Sequence, residues 1–159
     1  EIAAYHRAKR DGRLPVRTWL ALLGDEGRSI VPQCHEAGLI SGTGDEMLMI
    51  GGVKLFLDGS AGGRTAWMTE PYLGEDKTTG VWMWEDAELE RMVLDAHKKG
   101  YQLVCHAIGV AAIEQLITAY EKALAAYPDP DRRHRIEHCG FSTPAQHERM
   151  VKAGIYPCP

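Results

Sequence analysis

The order of strand-like and helix-like segments predicts an α/β fold built on a parallel sheet. Three observations carry this. Short runs of strand formers alternate with longer segments of helical apolar spacing. Two of the runs end in histidine, Leu103-Val104-Cys105-His106 and Arg135-Ile136-Glu137-His138, with a helix-like segment between them. A glycine, Gly109 or Gly140, follows each histidine closely, as a tight strand-to-loop turn requires. Two strands of one parallel sheet that each end in histidine present two imidazoles at one face. That is the layout of a metal site at the top of a β/α barrel.

The elements follow in order. Residues 2–8 read as a helix. Residues 15–21 are rich in strand formers, and 30–37 form a short helix candidate that Gly38 stops. The second strand spans 47–57. The run Asp58-Gly59-Ser60-Ala61-Gly62-Gly63 breaks it, and a long connection from 64 to about 84 follows, holding Pro71, Gly74, Gly80, Trp67, Tyr72 and Trp82. A loop of that length in a compact domain is usually functional. Residues 85–99 are amphipathic, with Leu89, Met92, Val93 and Ala96 at helical spacing, acids in the first turn and Gly100 at the end. The third strand covers 101–106. A helix over 110–126 has an apolar face of Ile113, Leu116, Ile117, Tyr120 and Leu124, and Pro128 and Pro130 close it. The fourth strand is 134–138. Ser142 or Thr143 caps a helix with Pro144 in its first turn, ending at Lys152 before Gly154, and 155–158 opens a fifth strand. No internal repeat, low-complexity tract or interdomain linker interrupts this order, so the chain reads as one domain.

Bulk composition narrows the function. The chain has 159 residues, 45% hydrophobic and 25% charged, with a formal net charge of −4. That suits one soluble domain with a real core and favours neither nucleic acid nor an anionic membrane surface. The basic run Arg132-Arg133-His134-Arg135 reads as a solvated loop before a strand. Four cysteines, Cys34, Cys105, Cys139 and Cys158, have no CxxC spacing, which excludes a zinc ribbon. Cys105 and Cys139 adjoin the two histidines and should pack as small hydrophobes on the other face of the sheet. A reducing, cytoplasmic-type environment fits. No apolar run reaches membrane-spanning length and no signal-peptide pattern occurs.

His106 and His138 are the leading metal-ligand candidates, weighed against a structural role for both. Lys54 lies inside the apolar strand Val53-Lys54-Leu55-Phe56-Leu57. Burial disfavours its charge, and carboxylation by carbon dioxide would make a carbamate able to bridge two metals. The alternative is a lysine that snorkels to solvent. Asp58 either binds a ligand or shapes an Asp-Gly turn, with the turn favoured. Arg64 either reads a substrate carboxylate or is solvated. Glu137 should face away from His138 and pair with Arg133 or Arg135. His6, His35, His97, His134 and His147 are expected at the surface. The Gly109-Val110-Ala111-Ala112 helix start could bind an anion but lacks GxGxxG, and no GxSxG motif occurs.

The runs Gly52-Val53-Lys54-Leu55-Phe56-Leu57-Asp58-Gly59-Ser60, Glu70-Pro71-Tyr72, His106-Ala107-Ile108-Gly109 and Arg133-His134-Arg135-Ile136-Glu137-His138 resemble the amidohydrolase superfamily. More narrowly they resemble the amidohydrolase 3 branch that includes N-substituted formamide deformylase. The resemblance runs from about Leu14 to the end. It implies a metal-dependent hydrolase on a distorted (β/α)8 barrel with a small flanking β-sandwich. One or two divalent metals, often zinc, would activate water against an amide, N-formyl or related C–N bond of a small molecule. Lys54 would be the carboxylated strand-four ligand, and His106 and His138 the strand-five and strand-six ligands. The loop from Asp58 to Trp84 would shape the substrate pocket, with Asp58 and Arg64 as substrate contacts. Val110 stands where the family usually has aspartate after His-Ala-Ile-Gly.

The His-x-His pair of strand one and the aspartate of strand eight, the expected general base, have no counterpart here. A full barrel takes about 250 residues. The expectation is therefore an internal fragment holding about strands three to seven, inactive alone, weakly metal-binding at best, and prone to self-association through open sheet edges. The rivals are a non-catalytic α/β binding module and a phosphoesterase-like barrel with the same ligands.

Overall fold

Strand and helix alternate along the chain as the apolar spacing requires. The computed structural model describes residues 2–25, 27, 29–74 and 77–159, so two positions of the long connection lie outside it. The elements are α1 (Ile2–Arg10), β1 (Thr18–Leu23), α2 (Val31–Glu36), β2 (Leu48–Lys54), α3 (Asp86–Lys98), β3 (Val104–Ala107), α4 (Val110–Ala126), β4 (Arg135–His138), α5 (Pro144–Ala153) and β5 (Tyr156–Cys158).

All strand pairs are parallel. β1 pairs with β2, and β3, β4 and β5 pair in that order. Bridges at Val53–Leu103 and Phe56–His106 join the two groups. Backbone bonds complete the seam: Val53 N–H donates to Gln102 O at 2.8 Å, His106 N–H to Leu55 O at 2.9 Å, and Leu57 N–H to His106 O at 3.0 Å. The strands thus lie side by side in chain order, as successive strand–helix crossovers of one hand place them.

One face of this sheet is covered by helices. Val53, Leu55, Leu57, Leu103, Cys105, Ala107 and Ile136 alternate out of the strands and are buried, in one cluster with Leu89, Val93 and Ala96 of α3 and Ile113, Leu116, Ile117 and Tyr120 of α4. Each fully buried aliphatic contributes about 1.5–3 kcal/mol, which makes this face the main source of stability. Cys105 and Cys139 are buried here as small hydrophobes, as their position beside the histidines predicts, and all four cysteines are free thiols. The other face carries a cleft of about 250 Å³ lined by Trp19, Ala21, Gly51, Gly52, Lys54, Gln102, Val104, Arg135 and Glu137.

The helix ends obey local rules. Thr143 Oγ1 accepts from Gln146 N–H at 3.3 Å, and Gln146 Oε1 accepts from Thr143 N–H at 3.0 Å. This capping box starts α5 with Pro144 in the first turn, and Gly154 ends it at φ 67°. The strands begin later than propensity suggests. β1 starts at Thr18, whose N–H makes the first sheet bond to Met47 O at 2.9 Å.

Two of the five histidines expected at the surface are in the interior. His97 and His134 are 2% and 1% exposed. They form a directed chain. Leu103 N–H donates to His134 Nδ1 at 3.0 Å, so the His134 proton sits on Nε2 and faces His97 Nδ1 at 3.0 Å. His97 Nε2–H then donates to Tyr127 O at 2.7 Å. His134 also stacks on Tyr120, centroids 4.7 Å apart. Burial drives the His134 pKa down to about 3, with His97 and Arg132 adding to the effect. The basic run around His134 is therefore a solvated loop only in part: Arg133 is exposed, while His134 is a core residue.

Candidate metal centre

Register places the site. Phe56 bridges to His106, and His106 pairs with Glu137, so these side chains emerge on the same face as Lys54, two residues before Phe56. His138 pairs with Ala107, a fully buried residue of the helix-covered face. Strict alternation would send His138 there too. The backbone instead turns into the left-handed region at His138 (φ 71°) and Cys139 (φ 47°). His138 swings over the strand end, and its ring meets the His106 ring edge-on, centroids 4.7 Å apart at 73°. Glu137 therefore does not face away from the site. It lines the cleft with Lys54, held by two bonds from Arg135, Nε at 2.9 Å and Nη2 at 3.0 Å. The expected pairing with Arg135 is present; the expected facing is corrected because alternation holds only for extended backbone.

The His106 ring is oriented from behind. Its Nε2 lies 2.8 Å from Gly59 O and 3.3 Å from Asp58 Oδ1. Both are acceptors, so Nε2 carries the proton and the Nδ1 lone pair is left for a ligand. Fixing one ring nitrogen in this way is how a protein selects the tautomer of a metal-binding histidine. His138 is exposed at the strand end. Lys54 is half-buried, and burial pulls its ammonium below the usual lysine range. Its Nζ lies 4.5 Å from the centre of the Phe56 ring, which in turn lies 5.5 Å from the His106 ring. Phe56 thus touches both candidate ligands. The signal for it was its parity with Lys54 along the strand.

Asp58 is 1% exposed, and its carboxylate accepts from Trp67 N–H at 2.9 Å, Ile108 N–H at 3.0 Å and Gly109 N–H at 2.7 Å. The anion at the N-terminus of α4 is thus the protein's own carboxylate. It ties the end of β2 to the β3–α4 turn and to the long connection. Gly109 is required there: a Cβ would lie 2.0 Å from Trp67 O. Arg64 is exposed on the loop at φ 53°, and its N–H bonds to Ala61 O at 3.0 Å. The structure brings Lys54, His106 and His138 to one end of the parallel strands and sets Asp58 behind His106. Among the described residues no group of three or more His, Cys, Asp or Glu side chains is placed to hold a metal. The donor set is two imidazoles and an amine.

A sequence profile of the amidohydrolase family matches residues 1–158. The chain belongs to the amidohydrolase family. The chain is 33% identical over 141 residues to Protein LONG AFTER FAR-RED 3 of Arabidopsis thaliana, covering 89% of this chain and 22% of that protein. It is 34% identical over 131 residues to the Putative amidohydrolase YtcJ of Bacillus subtilis (strain 168), covering 82% of this chain and 23% of that protein. Two crystal structures of uncharacterized metal-dependent hydrolases superpose on 98% of the chain. The Pyrococcus furiosus protein gives a TM-score of 0.81 at 28% identity, with 31% of its chain covered. The Pyrococcus horikoshii protein gives 0.81 at 29%, with 30% covered. The chain thus spans about a quarter of the length of the curated relatives and about a third of the solved ones. Among the described residues no helix is long and apolar enough to cross a membrane.

Proposed function

We propose that this segment contributes part of the active site of a metal-dependent hydrolase that cleaves an amide, N-formyl or related C–N bond of a small molecule. The observation that carries the reading is the edge-on pair of His106 and His138 at one end of the parallel strands. Family membership and the metal-dependent hydrolases of the same fold support it.

In this reading the five parallel strands are strands three to seven of an eight-stranded barrel. His106 offers Nδ1, and His138 offers its exposed ring. Lys54 supplies a carboxylate after carbon dioxide adds to its amine, a reaction of the uncharged form that burial promotes. One or two divalent ions, zinc by preference for imidazole donors, would polarise the scissile carbonyl and activate water. Asp58 acts by holding the His106 ring and the α4 turn, which leaves Arg64 as the candidate substrate contact on the loop. The general base comes from the part of the longer relatives that this chain does not cover, so the 159-residue chain is inactive alone. The four free thiols support a reducing, cytoplasmic-type compartment.

Metal analysis of the full-length protein tests this. Zinc should be present in simple stoichiometry and be lost in the His106→Ala/His138→Ala double variant. Unchanged metal in that variant would refute the ligand assignment. Chelator-sensitive hydrolysis by the 159-residue chain itself would refute the division of the site.

A further inference from the structure

The left-handed step at His138 and Cys139 needs an explanation, since neither residue is glycine and extended backbone would carry the His138 ring to the opposite face. The backbone N–H groups around it are held by β3 and its turn: Cys139 N–H donates to Ala107 O at 3.1 Å and Phe141 N–H to Ile108 O at 2.9 Å. The Cys139 carbonyl is held by a side chain. Ser142 Oγ–H donates to Cys139 O at 3.2 Å, and the same oxygen lies 2.7 Å from His147 Nε2. A hydroxyl has one proton. With that proton on Cys139 O, Ser142 Oγ accepts from His147 Nε2–H. His147 sits in the first turns of α5, where its own N–H bonds to Thr143 O at 3.0 Å.

We propose that Ser142 and His147 are a positioning pair that locks the His138 backbone so that its ring faces His106. The pair rests on the reading of His138 as a metal ligand only for its functional meaning; the geometric claim stands apart from it. Neither residue touches the reacting atoms. The pair is also not a nucleophilic dyad, because the imidazole nitrogen that faces the hydroxyl is a donor rather than a base. The sequence left Ser142 as a candidate cap and His147 as a surface histidine. The structure gives the cap to Thr143 and joins the other two to the strand end.

The test uses the full-length protein, isotopically labelled at histidine. A ring-to-ring nuclear Overhauser effect between His106 and His138 reports the edge-on contact without any metal. It is expected in the wild type and lost in Ser142→Ala and His147→Leu. Ser142→Thr keeps the hydroxyl and His147→Gln keeps a donor, and both should restore it. Thr143→Ala, which unfastens the α5 cap and lowers the urea midpoint, should leave it intact, and this separates positioning from general stability. Persistence of the signal in Ser142→Ala and His147→Leu, or its absence in the wild type, overturns the proposal. Cobalt(II) titration then reads the ligand assignment separately. Ser142→Ala should bind roughly tenfold or more weakly than wild type, with Ser142→Thr near wild type. If cobalt perturbs neither ring while the Overhauser pattern behaves as stated, the metal reading fails and the positioning pair stands.

Discussion

Removal of the Asp58 carboxylate should cost the fold more than any other single truncation near the site. The Asp58→Ala variant leaves three backbone N–H groups, of Trp67, Ile108 and Gly109, without their acceptor. Each buried donor left unpaired costs about 1–3 kcal/mol, with bonds to a charged partner toward the upper end. Water entering from the loop side would satisfy one of them, so two full penalties of about 2 kcal/mol each give about 4 kcal/mol. A domain of this size has a total stability of roughly 5–15 kcal/mol, so the loss is about a quarter of the total or more. Asp58→Asn keeps one acceptor oxygen but turns an amide N–H₂ toward a backbone donor, and about half the loss is expected. Urea unfolding followed by tryptophan fluorescence measures both, and Trp67 and Trp84 beside the clamp make the signal local. A loss below about 1 kcal/mol in Asp58→Ala would refute the clamp. It would return Asp58 to the role of a substrate contact, for which truncation should spare stability.

Two further outcomes follow from the same geometry. The His134 pKa is about 3 in the fold, against an ordinary histidine value of 6.5, so the unfolded chain takes the proton first and the stability contributed is complete above pH 6.5. It should fall by about 1.4 kcal/mol per pH unit below that, for as long as the folded imidazole stays neutral. Urea midpoints from pH 7 to pH 4 should show this slope, and His134→Gln should flatten it; equal slopes in the two proteins would contradict the account. Gly109→Ala drives a methyl into the Trp67 carbonyl and should cost about 2 kcal/mol while opening the long connection to limited proteolysis. A wild-type cleavage pattern would show that the loop is not seated on this glycine.

Much of the architecture was legible in the residues. The apolar spacing of Ile113, Leu116, Ile117 and Tyr120 marked α4 over its whole observed length, because helical periodicity needs no knowledge of the partner. Thr143, Pro144 and Gly154 marked both ends of α5 for the same reason. Lys54, His106 and His138 stand out as candidates by chemistry and strand position, and the structure sets them at one end of the strands. What escaped depended on contacts across long stretches of chain. His134 bonds to His97, 37 residues away, and Asp58 bonds to Ile108, 50 residues away. Glu137 and His138 were assigned to opposite faces by a rule for extended backbone, and the left-handed step at His138 suspends it.

The strand order carries one more consequence. Every strand pairs with its immediate predecessor in the sequence. Each strand–helix unit can therefore dock as soon as it leaves the ribosome, onto a surface already built. No early unit has to wait for a late one, and the step from β2 to β3, which also closes the long connection, spans the most chain. Growth from one end, a unit at a time, would bring His106 into place before His138, so the second imidazole is added to a site whose first half already exists.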